Sequence, residues 1–259
     1  MSAYVAALYH HPIKGFTPQL VRSAKLVEGQ PFPADRLWAI ENGPSGFDPA
    51  APAFVPKQKF TVLASIPEVA RALTAYDAET TRLTASAAGL PSFTGRLAEP
   101  ADRTAFADWV TQLIGDHARG PLQVLPAPTE HRFTDHPKGH VSIINLASVR
   151  DLATRLGQEV DFTRFRANLY VEGWPAWVEN EWTGQRLTVG GAAVEVFKPI
   201  VRCAATAVNP ATAARDLDIV RALYDNYGHM HCGIYVHVVR DGHVAPGDAC
   251  SQPQEDACP

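Results

Sequence analysis

Apolar residues in this chain recur in short alternating runs that proline or glycine soon interrupts, and this pattern constrains the fold more than any other feature. With 21 prolines and 18 glycines among 259 residues, few stretches can propagate a long helix. Val5, Ala7 and Tyr9 alternate as on a half-buried strand and lead into His10-His11-Pro12-Ile13-Lys14-Gly15, a turn. Leu20 to Val27 and Asp35 to Ile40 read as the next two strands, and 42–56 as an irregular loop. Ser65-Ile66-Pro67-Glu68 reads as the capped start of a short helix that ends near Tyr76. Between Asp102 and Asp116, Phe106, Trp109, Val110, Leu113 and Ile114 share one helical face.

Later strands are expected at 122–125, 141–145, 166–171, 186–189, 193–201 and 233–240. Helices are expected from a capping-box-like Ser148 to Gly157, and from Asp216 to Tyr227. Regular βαβ alternation and a Gly-rich phosphate loop are both missing, which excludes dinucleotide-binding and P-loop folds. The expectation is a mainly β chain, a closed or nearly closed β-barrel with a few short helices. The turn-rich 91–100 suggests a division into 1–98 and 99–250, with 251–259 as a flexible tail.

A net charge of −4 without a basic cluster argues against a nucleic-acid partner. The first residues lack the basic and apolar regions of a secretion signal, and no run approaches the length that spans a bilayer. A cytoplasmic chain with no membrane partner is expected. Four cysteines do not make a disulfide scaffold.

Cys203 carries the chemical interest. Arg202 precedes it and Thr206-Ala207-Val208-Asn209-Pro210 follows shortly after. An adjacent cation favours the thiolate, which can ligate a soft or high-valent metal or carry a persulfide. The alternative is a small buried hydrophobe. Lys14, Arg36 and the run Arg164-Phe165-Arg166-Ala167-Asn168 place further cations at strand edges. A barrel gathers strand ends at one rim, so these cations could converge on a phosphate; singly, each could be merely solvated. Asp135-His136 with His140, and His229-Met230-His231-Cys232, offer metal ligands without a zinc-site spacing. No Gly-x-Ser-x-Gly elbow is present, and Asp248 reads as a turn residue.

Taken in order, these runs resemble the MOSC family, named for the C-terminal part of molybdenum cofactor sulfurases, together with its small N-terminal β-barrel companion. The entry motif is matched by Tyr9-His10-His11-Pro12-Ile13-Lys14-Gly15 and Asp35-Arg36-Leu37-Trp38. Ser142 to Asn145, Arg166-Ala167-Asn168, Trp182-Thr183-Gly184, Arg202-Cys203, Gly233-Ile234-Tyr235 and Gly247-Asp248 follow. Gly15 and Val201 stand where many members carry small polar residues.

The resemblance implies a molybdenum cofactor, a pterin dithiolene bearing a phosphate. Cys203 would be the catalytic thiolate and metal ligand, Lys14 and Arg36 would bind the phosphate, and Arg166 and Asn168 would line the pterin. Ser142, Arg202 and Tyr235 complete the implied cofactor-binding set. Pyridoxal phosphate binding is a family-level association. Members with this two-part layout reduce N-hydroxylated compounds, which implies an oxidoreductase acting on a small-molecule substrate. The chain ends soon after Asp248, and Cys250 with Cys258 cannot supply the four thiolates of a cluster, so a separate ferredoxin- or flavoprotein-type electron donor is implied. Two alternatives are a sulfur carrier using a Cys203 persulfide in metal–sulfur cofactor assembly, and a non-catalytic binder of a phosphorylated ligand.

Overall fold

The fold is described from a computed structural model that covers residues 2–138 and 141–253. His140, Cys258 and the tail from residue 254 onward therefore lie outside the described residues. In the first half are β1 (Tyr4–His10), β2 (Gln19–Val21), β3 (Ala24–Leu26), β4 (Trp38–Asn42), β5 (Leu73–Tyr76), β6 (Arg82–Ser86), β7 (Phe93–Arg96), α1 (Pro100–Ile114) and β8 (Leu122–Pro126). The second half adds β9 (Val141–Asn145), α2 (Leu146–Leu156), β10 (Leu169–Glu172), β11 (Arg186–Val189), β12 (Ala192–Val201), α3 (Ile219–Tyr227), β13 (His231–Arg240) and β14 (Gly242–Val244). The chain is mainly β.

Seven strands form the main sheet in the order β11-β12-β13-β9-β10-β1-β2. The first strand therefore pairs antiparallel with β10, and the chain's two halves share one sheet. Alternation fixes which face is buried. On β12, Ala192, Val194 and Val196 turn inward, where they join Ile234, Val236 and Val238 of β13. The sheet is not closed by its strand ladders. Residues 247–251 instead reach across from β1 to β11, with Val5 N donating to Asp248 O (2.9 Å) and Gly190 N donating to Ala249 O (2.9 Å).

A second core forms where Phe106, Val110, Leu113 and Ile114 of α1 meet Leu83 and Ala85 of β6 and Tyr76 of β5. The expected helix from Ser65 is here only a 3-10 turn, Pro67–Arg71, preceded by Ile66 without a side-chain cap. Beyond it Thr74 and Tyr76 alternate inward, and strand pairing with β6 wins over helical extension. The α2 helix is capped by Asn145, whose Oδ1 accepts from Ala147 N (3.1 Å). Ser148 sits inside that helix and donates to Glu179 Oε1 (2.8 Å). Strand β10 begins at Leu169, later than expected, because Arg166 adopts a left-handed turn. Among the described residues no helix is long and apolar enough to cross a membrane.

Gly233 in β13 permits the close approach of β9. Its φ is +76°, and a Cβ there would lie 2.4 Å from Ile143 O and 2.6 Å from Ile144 Cδ1. Gly233→Ala is expected to cost about 2–4 kcal/mol in urea unfolding, since both backbone strain and overlap must be relieved. An unchanged midpoint would show that the sheet can separate without penalty.

Candidate functional site

Strands β9, β12 and β13 border a cleft of about 210 Å3 that also takes residues from the segments before β4, β5, β9 and β10 and from the turn after β12. Arg36, Lys57, Arg164, Arg166, Lys198 and Arg202 line it, and Asp135 is the carboxylate among the lining residues. Such an excess of cations in a partly enclosed space is suited to an anion.

Two of these arginines hold backbone conformations that side-chain-bearing residues seldom adopt. Arg36 has φ +50° and Arg166 has φ +52°. At Arg36 the turn is stitched by its N–H donating to His11 O (2.8 Å) and by Trp38 N donating to Pro12 O (3.0 Å). Its guanidinium bonds Asp35 Oδ2 and donates to Arg166 O (3.4 Å). Asp35 is itself buried, and Oδ1 accepts from His11 N (2.6 Å) and lies 3.1 Å from His11 Nδ1. Burial first, then Arg166, pushes the His11 pKa down to about 3, so the ring is neutral at physiological pH. A neutral His11 can donate from Nδ1 to the carboxylate. Left-handed, over-determined turns of this kind often mark functional sites.

Arg166 caps the 3-10 turn Phe162–Phe165, with its N–H donating to Thr163 O (3.0 Å). Burial and the nearby Arg36 lower its pKa to about 10, which leaves it cationic. Lys198 reaches the cleft beside Tyr235 because a bulge shifts the β12–β13 register between Val196 and Lys198. Burial raises the Tyr235 pKa, and the ring lies 5.9 Å from that of His136.

Cys203 is half-buried and opens the 3-10 turn Ala204–Ala207. Its carbonyl accepts from Thr206 N (3.0 Å) and Thr206 Oγ1 (2.9 Å). Two arginines pin this turn. Arg164 donates to Ala207 O (3.2 Å) and Asp216 Oδ2 (2.9 Å), while Arg215 donates to Ala204 O (2.8 Å) and Ala64 O (2.9 Å). The cation next in sequence is engaged away from the thiol. Arg202 is taken up by the carbonyls of Cys232 (2.8 Å from Nε) and Phe165 (2.8 Å from NH1), and stacks over the Phe165 ring. Lys57 lines the cleft together with Cys203; burial disfavours its charge, but Asp135, Cys203 and Tyr235 raise its pKa overall.

Residues 2–120 match the family model of the MOSC N-terminal beta barrel domain, and residues 130–251 that of the MOSC domain. The chain is a MOSC-domain protein. Over 109 residues it is 36% identical to a molybdenum cofactor sulfurase of Caenorhabditis briggsae, a stretch covering 40% of this chain and 15% of that protein. Over 100 residues it is 30% identical to mitochondrial amidoxime reducing component 2 of Bos taurus, covering 38% of this chain and 29% of that protein. The matched parts are thus well under half of either relative. The solved YUAD protein of Bacillus subtilis aligns over 96% of this chain and 94% of its own, at 17% identity and a TM-score of 0.46.

Of the residues singled out from sequence in this MOSC chain, Arg36, Ser142, Arg166, Arg202, Cys203 and Tyr235 line the cleft. Lys14 and Asn168 are not among the lining residues. The buried Lys14 ammonium donates to Phe133 O (2.9 Å), Thr134 O (3.3 Å) and Asp135 Oδ1 (2.5 Å). It anchors the loop that carries Asp135 and His136. Asn168 Oδ1 accepts from Ser142 N (3.1 Å) and Oγ (2.9 Å), while Nδ2 donates to Tyr9 O (3.3 Å), tying β9 to β1. Lys57 and Lys198 carry no motif that marks them as site residues. Among the described residues, no group of three or more His, Cys, Asp or Glu is placed to hold a metal ion. His229 Nδ1 accepts from His231 N (3.1 Å), and the two rings stack 5.1 Å apart.

The other described cysteines differ sharply from Cys203. Burial pushes the Cys232 and Cys250 thiols up to about 12, and both are nearly inaccessible. Native alkylation followed by peptide mapping should therefore modify Cys203 and spare Cys232 and Cys250 until the chain is unfolded. Comparable labelling of Cys232 in the native state would contradict this packing.

Proposed function

We propose that the cleft holds a phosphorylated pterin-dithiolene molybdenum cofactor and that the chain reduces N-hydroxylated or N-oxide-type small molecules. The observation that carries this reading is a half-buried thiol in a cleft rich in cations. Arg166 and Lys198 make no side-chain hydrogen bond or ion pair among the described residues, so both can donate to a phosphate. The donor set therefore fits the group.

Cys203 would be the protein thiolate on the metal, with Lys57 balancing its charge. Arg36, Arg166 and Lys198 would hold the phosphate, and Ser142 and Tyr235 would line the pterin. Arg202 would fix the Cys203 backbone through its two carbonyl contacts. Lys14 and Asn168 would act indirectly, through Asp135 and Ser142. When bound, the cofactor would supply the two-electron redox chemistry at molybdenum, while the protein supplies orientation and electrostatics. Electrons would come from a separate ferredoxin- or flavoprotein-type donor, in a cytoplasmic setting.

A second reading, a sulfur carrier with a Cys203 persulfide, draws on one further observation. Cys203 also borders a more open hollow lined by Ala204, Ala207, Arg215, Leu217 and Val220, through which a donor could reach the sulfur. The two readings separate in one experiment. Protein from a molybdate-fed, cofactor-competent host is assayed with reduced viologen and an amidoxime, and cyanide-released sulfur is measured in parallel. Turnover that scales with molybdenum content and disappears in Cys203→Ala supports the reductase. Cyanide-labile sulfur on Cys203 without any turnover would replace it with the carrier.

A further inference from the structure

A second hollow, of about 160 Å3, shares Arg164, Arg166 and Ala205 with the cleft. Its walls are otherwise largely apolar. Phe16, Leu63, Ala72 and Val208 are buried, and Pro18 and Pro210 complete the lining. Thr17 and Thr163 bring hydroxyls, but these already donate to Ala72 O (2.7 Å) and Asp161 Oδ1 (2.7 Å). The polar groups left are guanidinium N–H donors. The Arg164 side chain is 3% exposed, and its Nε is buried with no hydrogen-bond partner. Arg166 makes no side-chain hydrogen bond among the described residues.

A buried donor without an acceptor is costly, and native proteins seldom leave one unmatched. A compact apolar hollow of about 150 Å3 is also known to be large enough for one benzene ring. We propose that this hollow is a binding site for a single-ring aromatic monocarboxylate. The carboxylate would accept from Arg164 and Arg166, and the ring would lie among Phe16, Leu63 and Val208. This site goes beyond the cofactor reading and does not depend on it. Since both arginines also line the cleft, an anion in one site would weaken anion binding in the other, and the effect would be reciprocal.

The test is calorimetric titration of the full chain with benzoate and, separately, with toluene. Ala70→Trp fills the hollow from its rim, and Arg164→Met removes the donor while keeping an apolar stem. Benzoate should bind wild type saturably, and at least about tenfold more weakly in Ala70→Trp. Wild type should prefer benzoate to toluene, and Arg164→Met should reduce that preference severalfold, with Arg166 supplying the remainder. If Arg164→Met does not fold, the Ala70→Trp comparison and the benzoate–toluene difference in wild type decide the matter. Absence of saturable benzoate binding, or equal affinity in wild type and Ala70→Trp, would overturn the proposal.

Discussion

Asp35→Ala should lose about 3–5 kcal/mol of stability, because it removes one partner of a buried ion pair. The carboxylate is 2% exposed and satisfies three groups at once: His11 N, His11 Nδ1 and the Arg36 guanidinium. Without it, a mostly buried cation and a buried backbone N–H lose their acceptor. Asp35→Asn, which keeps the shape and removes the charge, should fall between wild type and Asp35→Ala. Urea unfolding measures both. A loss under about 1 kcal/mol would mean that Arg36 finds a new partner, with Asp135 the nearest candidate by charge. The same substitution should weaken anion binding in the cleft, since Arg36 then loses its fixed position on the rim.

Acid should expose a second large effect at the same place. The His11 pKa is held at about 3 against an ordinary 6.5, chiefly by burial and then by Arg166. Between those values the unfolded chain takes up a proton that the native chain refuses. The stability this contributes is complete above pH 6.5 and is lost progressively as pH falls toward 3. Its size is on the order of 4 kcal/mol. The depressed carboxylates Asp35 and Asp135 act on a lower range, starting below about pH 4. Other histidines also have lowered pKa values, so the decisive quantity is the difference between wild type and His11→Asn. Between pH 6.5 and 4.5 the variant should lose stability with a slope shallower by nearly one proton. Parallel curves would show that His11 is protonated in the native state.

Much of the fold could be read from the sequence because alternation and helical periodicity are local. The buried face of α1 and the inward residues of β12 and β13 lie where their spacing puts them. Strands β6 and β7 gave no comparable signal, since Leu83 and Ala85 are the only buried residues across both. The site was readable in part. Strand ends do converge, and six of the eight residues singled out share the cleft. What the sequence cannot encode locally is side-chain direction. Lys14, in the turn after β1, and Asn168, just before β10, point into the scaffold, against Asp135 and Ser142. Arg202 adjoins Cys203 along the chain, yet its guanidinium is bound by backbone carbonyls, while Lys57, which follows a long irregular loop, also lines the cleft that holds the thiol. Left-handed turns at Arg36 and Arg166 carry no glycine to announce them.

Cofactor binding through Cys203 is tested most simply by the molybdenum content of the purified chain, wild type beside Cys203→Ala, after expression in a molybdate-fed, cofactor-competent host. Cys203 is only half-buried and belongs to no apolar core, so the substitution should leave thermal stability nearly unchanged. Metal ligation by Cys203 in this cleft predicts near-stoichiometric molybdenum with pterin in wild type, and a large loss of the metal in Cys203→Ala. Equal molybdenum in both proteins, or neither metal nor pterin in wild type, would contradict it.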